Sequence, residues 1–173
     1  MNPISLLREQ LQSAHWLLEE TMKDVTPEQA HWSPPSIANP LGATYAHLVM
    51  GEDFIINGML KGSAPLAATS WAGKVGVSEP PPQDMAWDQW ARRVRIDLAA
   101  LQQYAQAVYA GSDQYLASLT DDALSRPIDL SAFGLGQQTL AWVLNNGVIG
   151  HARDHCGEVS CLKGLQGARG YPL

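Results

Sequence analysis

Residues 139–163 read TLAWVLNNGVIGHARDHCGEVSCLK, and the spacing of the inward positions in this stretch decides the fold class. Leu140, Leu144, Gly147, His151, His155, Glu158 and Leu162 recur every three or four residues. That is one buried stripe on an α-helix running from Thr139 to about Lys163, with Gly164 and Gly167 after it. Two histidines stand halfway along, where leucines would ordinarily sit. Four residues apart on a helix, they share a face with Cβ atoms about 5–6 Å apart, so the two rings can grip one divalent ion.

The same periodicity recurs upstream. Ile4, Leu7, Leu11, Ala14, Leu18 and Met22 mark a first helix that stops near Asp24. Thr26-Pro27-Glu28-Gln29 reads as a capping box with proline at the first helical position, opening a short helical turn. Pro34, Pro35 and Pro40 then break the chain, and a second helix is predicted from about Ala43 to Leu60, stopped by Lys61-Gly62. Gly62 to Gln83 is rich in Gly, Ala and Pro. At about twenty residues it is long for a helix connection, which favours a crossover over a tight hairpin. Trp87, Trp90, Val94, Leu98, Leu101, Ala105, Val108 and Tyr115 predict one third helix to about Leu119, with Gly111 its weak point. Thr120-Asp121-Asp122-Ala123 follows that helix as Thr26-Pro27-Glu28-Gln29 follows the first, hinting at two related helix pairs. Asp129 to Gln138 is a loop, and no strand-like alternation of any length appears. The expected architecture is all-α: a four-helix bundle with a long crossover between helices 2 and 3, residues 1–173 forming a single domain.

Composition narrows the function. Of 173 residues 46% are hydrophobic and 16% charged, as in an ordinary globular chain. A net charge of −6 leaves no basic stripe for nucleic acid. No apolar run approaches the ~20 residues that span a bilayer, and the N-terminus shows no secretory pattern. Cys156 and Cys161, five apart on one helix, point in different directions and are poor disulfide partners. A cytoplasmic protein with free thiols is expected.

A third metal ligand has to come from the remaining histidines: His15, His31 and His47. His31 lies beside Trp32 in a proline-broken loop, where it is expected solvated or locally packed. His15, next to Trp16 near the edge of the first stripe, is expected at the surface or a boundary. His47 shares a face with Met50, Gly51 and Phe54, an otherwise apolar strip directed at the interior. Burying an imidazole without a partner costs about 1–3 kcal/mol. Spacing therefore leaves two readings open: one metal held by His47, His151 and His155, or three core histidines each satisfied by a carbonyl or carboxylate. A zincin protease is excluded, because Ala152 follows His151 where the general-base glutamate would stand. A di-iron site is excluded because only Glu28-Gln29-Ala30-His31 fits the Glu-x-x-His pattern. The two cysteines lack the spacing of a structural zinc site.

Three stretches together resemble a known family: Val25-Thr26-Pro27-Glu28-Gln29-Ala30-His31-Trp32-Ser33-Pro34 after the first helix, Ala46-His47-Leu48 on the second, and His151-x-x-x-His155-x-Gly157-Glu158-Val159 at the end. The pattern resembles the DinB-like superfamily of bacterial four-helix bundles over essentially the whole chain. The resemblance implies that His47, His151 and His155 bind one divalent metal, that the helices are connected in a crossed order suiting the Gly62–Gln83 link, and that the protein is a homodimer. Relatives include bacillithiol S-transferases, mycothiol-dependent maleylpyruvate isomerases and glutathione-using enzymes. Where many members carry glutamine after the glycine, this chain has Glu158.

Three neutral imidazoles without a fourth side chain form an open site, the arrangement of catalytic rather than structural metals. Imidazole suits Zn, Ni, Cu and Fe alike, and Zn, Ni or Fe is the expected occupant. Gly51 offers no ligand, and Glu52 and Asp53 project about 100° or more away from His47. Glu158, one turn beyond His155, is open to four readings: a fourth ligand, an acceptor for an imidazole N–H, a base for a bound water or thiol, or an exposed glutamate near the helix end. Trp71 and Trp87 either roof the pocket or pack on the bundle. The leading expectation is a metal-dependent enzyme that activates a low-molecular-weight thiol for attack on a small electrophile. The alternatives are a non-catalytic, stress-related metal-binding bundle and a plain interaction module with satisfied core histidines.

Overall fold

Asn2 starts the first helix, its side chain accepting the Ser5 N–H at 2.7 Å. This computed structural model describes residues 2–35, 37–82 and 87–172. Helix α1 (Pro3–Met22) buries Ile4, Leu11, Ala14, Leu18 and Met22, the stripe expected from its periodicity. Its C-terminal end is closed by a residue of the last helix: the buried Lys163 ammonium donates to Thr21 C=O at 2.7 Å and pairs with Asp24 at 2.5 Å. A cation there satisfies an orphan carbonyl and complements the helix dipole. Helix α2 (Pro27–His31) opens with the capping box expected at Thr26 and Gln29, both of its bonds formed.

Helix α3 (Leu41–Asp53) begins two residues before the expected Ala43 and runs on without interruption as a π-helix, Phe54–Leu60. Backbone N–H groups there reach back five residues, as Lys61 does to Ile56 C=O at 3.1 Å. The last long helix is built in the reverse order. Thr139 caps α6 (Leu140–Trp142), a π-helical stretch Val143–Gly150 follows, and α7 (His151–Leu165) continues in α geometry. π-Helical stretches are rare and gather at functional sites; one of these ends where the histidine pair begins.

The single third helix predicted from Trp87 to Leu119 is two helices, α4 (Trp87–Arg93) and α5 (Leu98–Ala117). The break falls at residues 94–97, not at Gly111, and tertiary contacts make it. Ile96 forms an antiparallel bridge with Val77, its N–H donates to His31 Nε2 at 2.9 Å, and Asp97 N–H reaches Gly76 C=O at 2.8 Å. Asp97 then caps α5 by accepting the Ala100 N–H at 3.1 Å. Gly76 has a φ of +82°, and a Cβ there would lie 2.5 Å from Leu101 N, so this contact requires glycine. His31 is thus locally packed, as expected, and also ties α2 to a chain segment 65 residues away.

The absence of strands expected from the sequence is corrected. Pro127–Asp129 (β1) and Gln137–Thr139 (β2) form a two-stranded antiparallel hairpin with Ile128 opposite Gln138. Strands of three residues, exposed on alternate positions, are too short to leave a periodic signal. The presumed repeat at Thr120 opens a 3₁₀ turn, Asp121–Ser125, but Thr120 makes no side-chain cap bond, so its likeness to Thr26 is positional only. Both cysteines are free, Cys156 buried and Cys161 exposed. Among the described residues no helix is long and apolar enough to cross a membrane.

Helix α1 packs on α5 and α7, and α3 packs on the same two. The apolar interior is divided in two along this length. One cluster holds Leu18, Met22, Tyr45, Val49, Leu101, Tyr104, Cys156 and Val159; the other holds Ile4, Leu11, Ile56, Leu60, Leu116, Leu140 and Leu144. Between them every long helix contributes a polar side chain: His15 from α1, Glu52 and Asp53 from α3, Ser112 from α5 and His151 from α7. His15, expected at the surface, is only 8% exposed and lies 2.9 Å from a Glu52 oxygen.

Asp53 is why the long connection after α3 is ordered. Its carboxylate is 1% exposed and accepts from Asn57 at 2.7 Å, the Leu66 N–H at 2.9 Å, the Ala67 N–H at 2.9 Å and the Tyr104 hydroxyl at 2.5 Å. The two backbone donors open the 3₁₀ turn Leu66–Ala68, which folds the connection back onto the helices. The far end of the expected link, Gln83, lies outside the described residues.

Candidate metal centre

Packing of α3 against α7 brings the three expected histidines together. One ring nitrogen from each of His47, His151 and His155 can be chosen so that all three lie within 4.8 Å of one another. His47 Nε2 and His151 Nε2 are 3.1 Å apart. Two nitrogens each about 2.0–2.1 Å from a shared ion stand roughly 3.0–3.4 Å apart at octahedral to tetrahedral angles, so the observed spacing fits. Gly51, one turn beyond His47, faces the same ring: a Cβ there would make an ordinary contact, 3.8 Å from His151 Cε1.

The rings differ in what stands behind them. His155 Nδ1 lies 2.6 Å from the carboxylate of Glu158, which accepts the imidazole N–H although the side chain is 58% exposed, so two of its four readings, N–H acceptor and exposed glutamate, describe it together. This bond selects the tautomer whose Nε2 is free to coordinate. His47 Nδ1 is buried without a hydrogen-bond partner. Its ring stands edge-on to Trp87, centroids 4.6 Å apart, so Trp87 covers the site from the α4 side. Trp71 does not; its ring rests against Tyr104, centroids 5.7 Å apart. Phe54, expected on the inward strip with His47, is 49% exposed. Its N–H still reaches back four residues to Met50 C=O in α geometry, so it keeps its place on the wheel but lies where the strip leaves the interior. At Gly157 a Cβ would come 3.3 Å from the hydroxyl of the exposed Tyr171, a side chain free to shift aside.

Burial first, and then the neighbouring imidazoles, push His47 down to about 4. Burial and His155 likewise push His151 down to about 4, against the opposing charges of Asp154, Glu158 and Glu52. Both rings are neutral near pH 7, the state a metal requires. A histidine whose folded pKa is depressed binds its proton more readily unfolded. Stability is therefore complete above the unfolded value of about 6.5 and lost as pH falls toward 4. Each unit of depression is worth about 1.4 kcal/mol, so the metal-free protein is expected to lose a few kcal/mol across that window. Urea midpoints at pH 7.5 and 4.5 check this; equal midpoints would contradict the burial of both rings.

Glu52 and Asp53, expected to project away from His47, find their partners elsewhere: Glu52 in His15 and Ser112, Asp53 in Asn57 and Tyr104. Both are instead central polar groups of the interior. Two adjacent acids inside the apolar run Leu48-Val49-Met50-Gly51-Glu52-Asp53-Phe54-Ile55-Ile56 were the available signal, since buried carboxylates persist only with partners.

The sequence profile of the DinB superfamily matches residues 10–159. A crystal structure described as a conserved protein from Enterococcus faecalis superposes with a TM-score of 0.81 at 24% identity, over 95% of this chain and 97% of that one. That likeness establishes a shared fold alone. No curated protein matches the sequence.

Proposed function

We propose, for a chain that belongs to the DinB superfamily, that His47, His151 and His155 hold one divalent metal ion and that the protein acts as a metal-dependent thiol transferase, or related enzyme, on a small electrophile. The observation that carries this reading is the donor set: three imidazoles whose nitrogens converge and, among the described residues, no fourth carboxylate or thiol in the cluster, as in catalytic sites with an open position. When bound, the ion would supply Lewis acidity that brings a thiol's pKa into the neutral range. The chain's own residues supply the setting. Glu158 orients His155, and Trp87 shields the His47 ring from water. Zn, Ni or Fe suits the site, and bacillithiol, mycothiol or glutathione is the thiol class. We also take the long helices as one four-helix bundle, residues 1–173, with a crossed connection after α3, acting as a cytoplasmic homodimer without nucleic-acid or membrane partners.

A second reading, a non-catalytic metal-binding bundle with a stress-related role, draws on the cavity beside His151. At about 10 Å³ it has room for one water beside the cluster, on the side of His151 away from His47 and His155. Elemental analysis of the purified protein is expected to find about one metal per chain, and assays with the three thiols against a generic electrophile to show metal-dependent turnover. Bound metal without turnover for any thiol would overturn the transferase and leave the second reading. No stoichiometric metal would overturn both.

A further inference from the structure

Glu52 is a buried carboxylate that the proposed chemistry does not use. It is 5% exposed, and its two oxygens face His15 Nε2 at 2.9 Å and the Ser112 hydroxyl, which donates at 2.5 Å. His15 is itself held from behind, stacked on Tyr109 with centroids 3.7 Å apart. The Tyr109 hydroxyl donates to Glu19 at 2.8 Å, and Tyr45 donates to the same oxygen at 2.8 Å. Glu52 is thus fixed from α1 and α5, although it belongs to α3.

The cavity of about 10 Å³ lies between this group and the metal cluster. Its polar lining is His15, Glu52, Tyr109 and His151; Leu18, Leu48 and Val148 contribute apolar walls. That volume is about one water, and a buried water needs two to four polar partners. His151 lines this cavity and turns Nε2 toward His47, and among the described residues no protein hydrogen bond forms at its Nδ1. His155 has Glu158 for the same purpose.

We propose that Glu52 is the positioning residue for His151, acting through one water in this cavity: Nδ1–H of His151 donates to the water, and the water donates to the Glu52 carboxylate. This holds His151 in the tautomer that leaves Nε2 to coordinate, the role Glu158 fills directly for His155. It explains why a polar layer crosses the interior at the level of His151, where apolar residues of like volume would fold as well. The inference rests on the three-histidine metal site.

The test uses Co²⁺ as probe, with affinity measured against a competing chelator and the visible absorption band reporting ligand geometry. Glu52→Gln, nearly isosteric, is expected to weaken Co²⁺ binding roughly 10–100-fold and to shift the band. Ala152→Val, which narrows the cavity and leaves Glu52, His15 and Ser112 in place, is expected to weaken it comparably. If both act through the water, the double variant should be little worse than either single one. ¹⁵N spectra of the metal-free wild type should show His151 protonated on Nδ1, a readout that needs no variant to fold. Wild-type affinity in both variants, or a proton on Nε2, would overturn the role of Glu52 while leaving the metal site standing. A wild type that binds no Co²⁺ would overturn both.

Discussion

His151→Ala is expected to abolish stoichiometric metal in the purified protein, lowering divalent-ion affinity by well over 100-fold. Loss of an outer partner alone costs about 10–100-fold, and here a ligand nitrogen is removed 3.1 Å from its neighbour. Two imidazoles, His47 and His155, would remain, on different helices. In the metal-free protein the same substitution removes the partner of His47 Nε2 and leaves a void where the ring stood, so the variant's own metal-free melting temperature is the baseline against which added metal is read. The response to metal is the decisive measurement. A ligand that binds only the folded state at 100 times its Kd adds about 2.7 kcal/mol. Wild-type melting temperature should therefore rise on adding metal, and that of the variant should not. A variant that still gains stability from metal would remove His151 from the site.

The second large effect is expected at Asp53, far from any ligand role. Asp53→Ala leaves Asn57, Leu66 N–H, Ala67 N–H and the Tyr104 hydroxyl without their acceptor. Each unsatisfied buried donor costs about 1–3 kcal/mol. With partial rescue by water, a total near 4 kcal/mol is expected, a large share of the roughly 5–15 kcal/mol that holds a domain folded. Asp53→Asn should be nearly as harmful despite its shape. Each carboxylate oxygen accepts two donors, so an amide NH₂ would face the Asn57 amide and the Leu66 N–H on one side, or the Ala67 N–H on the other, where the Tyr104 hydroxyl alone can turn to accept. Urea denaturation measures the loss, and limited proteolysis between residues 62 and 80 locates it, because the Leu66–Ala68 turn is pinned by this side chain. An Asn variant as stable as wild type would mean the four bonds matter little.

The parts of the fold legible in the sequence are those governed by local periodicity. The stripes of α1 and of the last helix are repeats every three or four residues, and the capping box at Thr26 is a contact within one turn. The metal-site candidates were legible for the same reason. His151 and His155 meet through helix geometry, and His47 announced itself as a polar residue on an apolar face. Misreadings begin where distant segments intervene. Trp90, Val94 and Leu98 keep helical spacing, yet the chain breaks between Val94 and Asp97 because Gly76, Val77 and His31 offer its backbone other partners. His15 reads as a boundary residue until Glu52 is brought against it from another helix.

The sequence by itself determined the helical class, the family, and which three histidines could share an ion, because each depends on residues within a few turns or on a recognisable pattern. The tertiary structure alone decided that their nitrogens converge, that Trp87 covers His47, and that buried polar groups from α1, α3 and α5 meet beside them. Those are contacts between residues up to about a hundred positions apart. They exist only where burial forces a carboxylate or an imidazole to find a partner, and no local pattern can say which partner that will be.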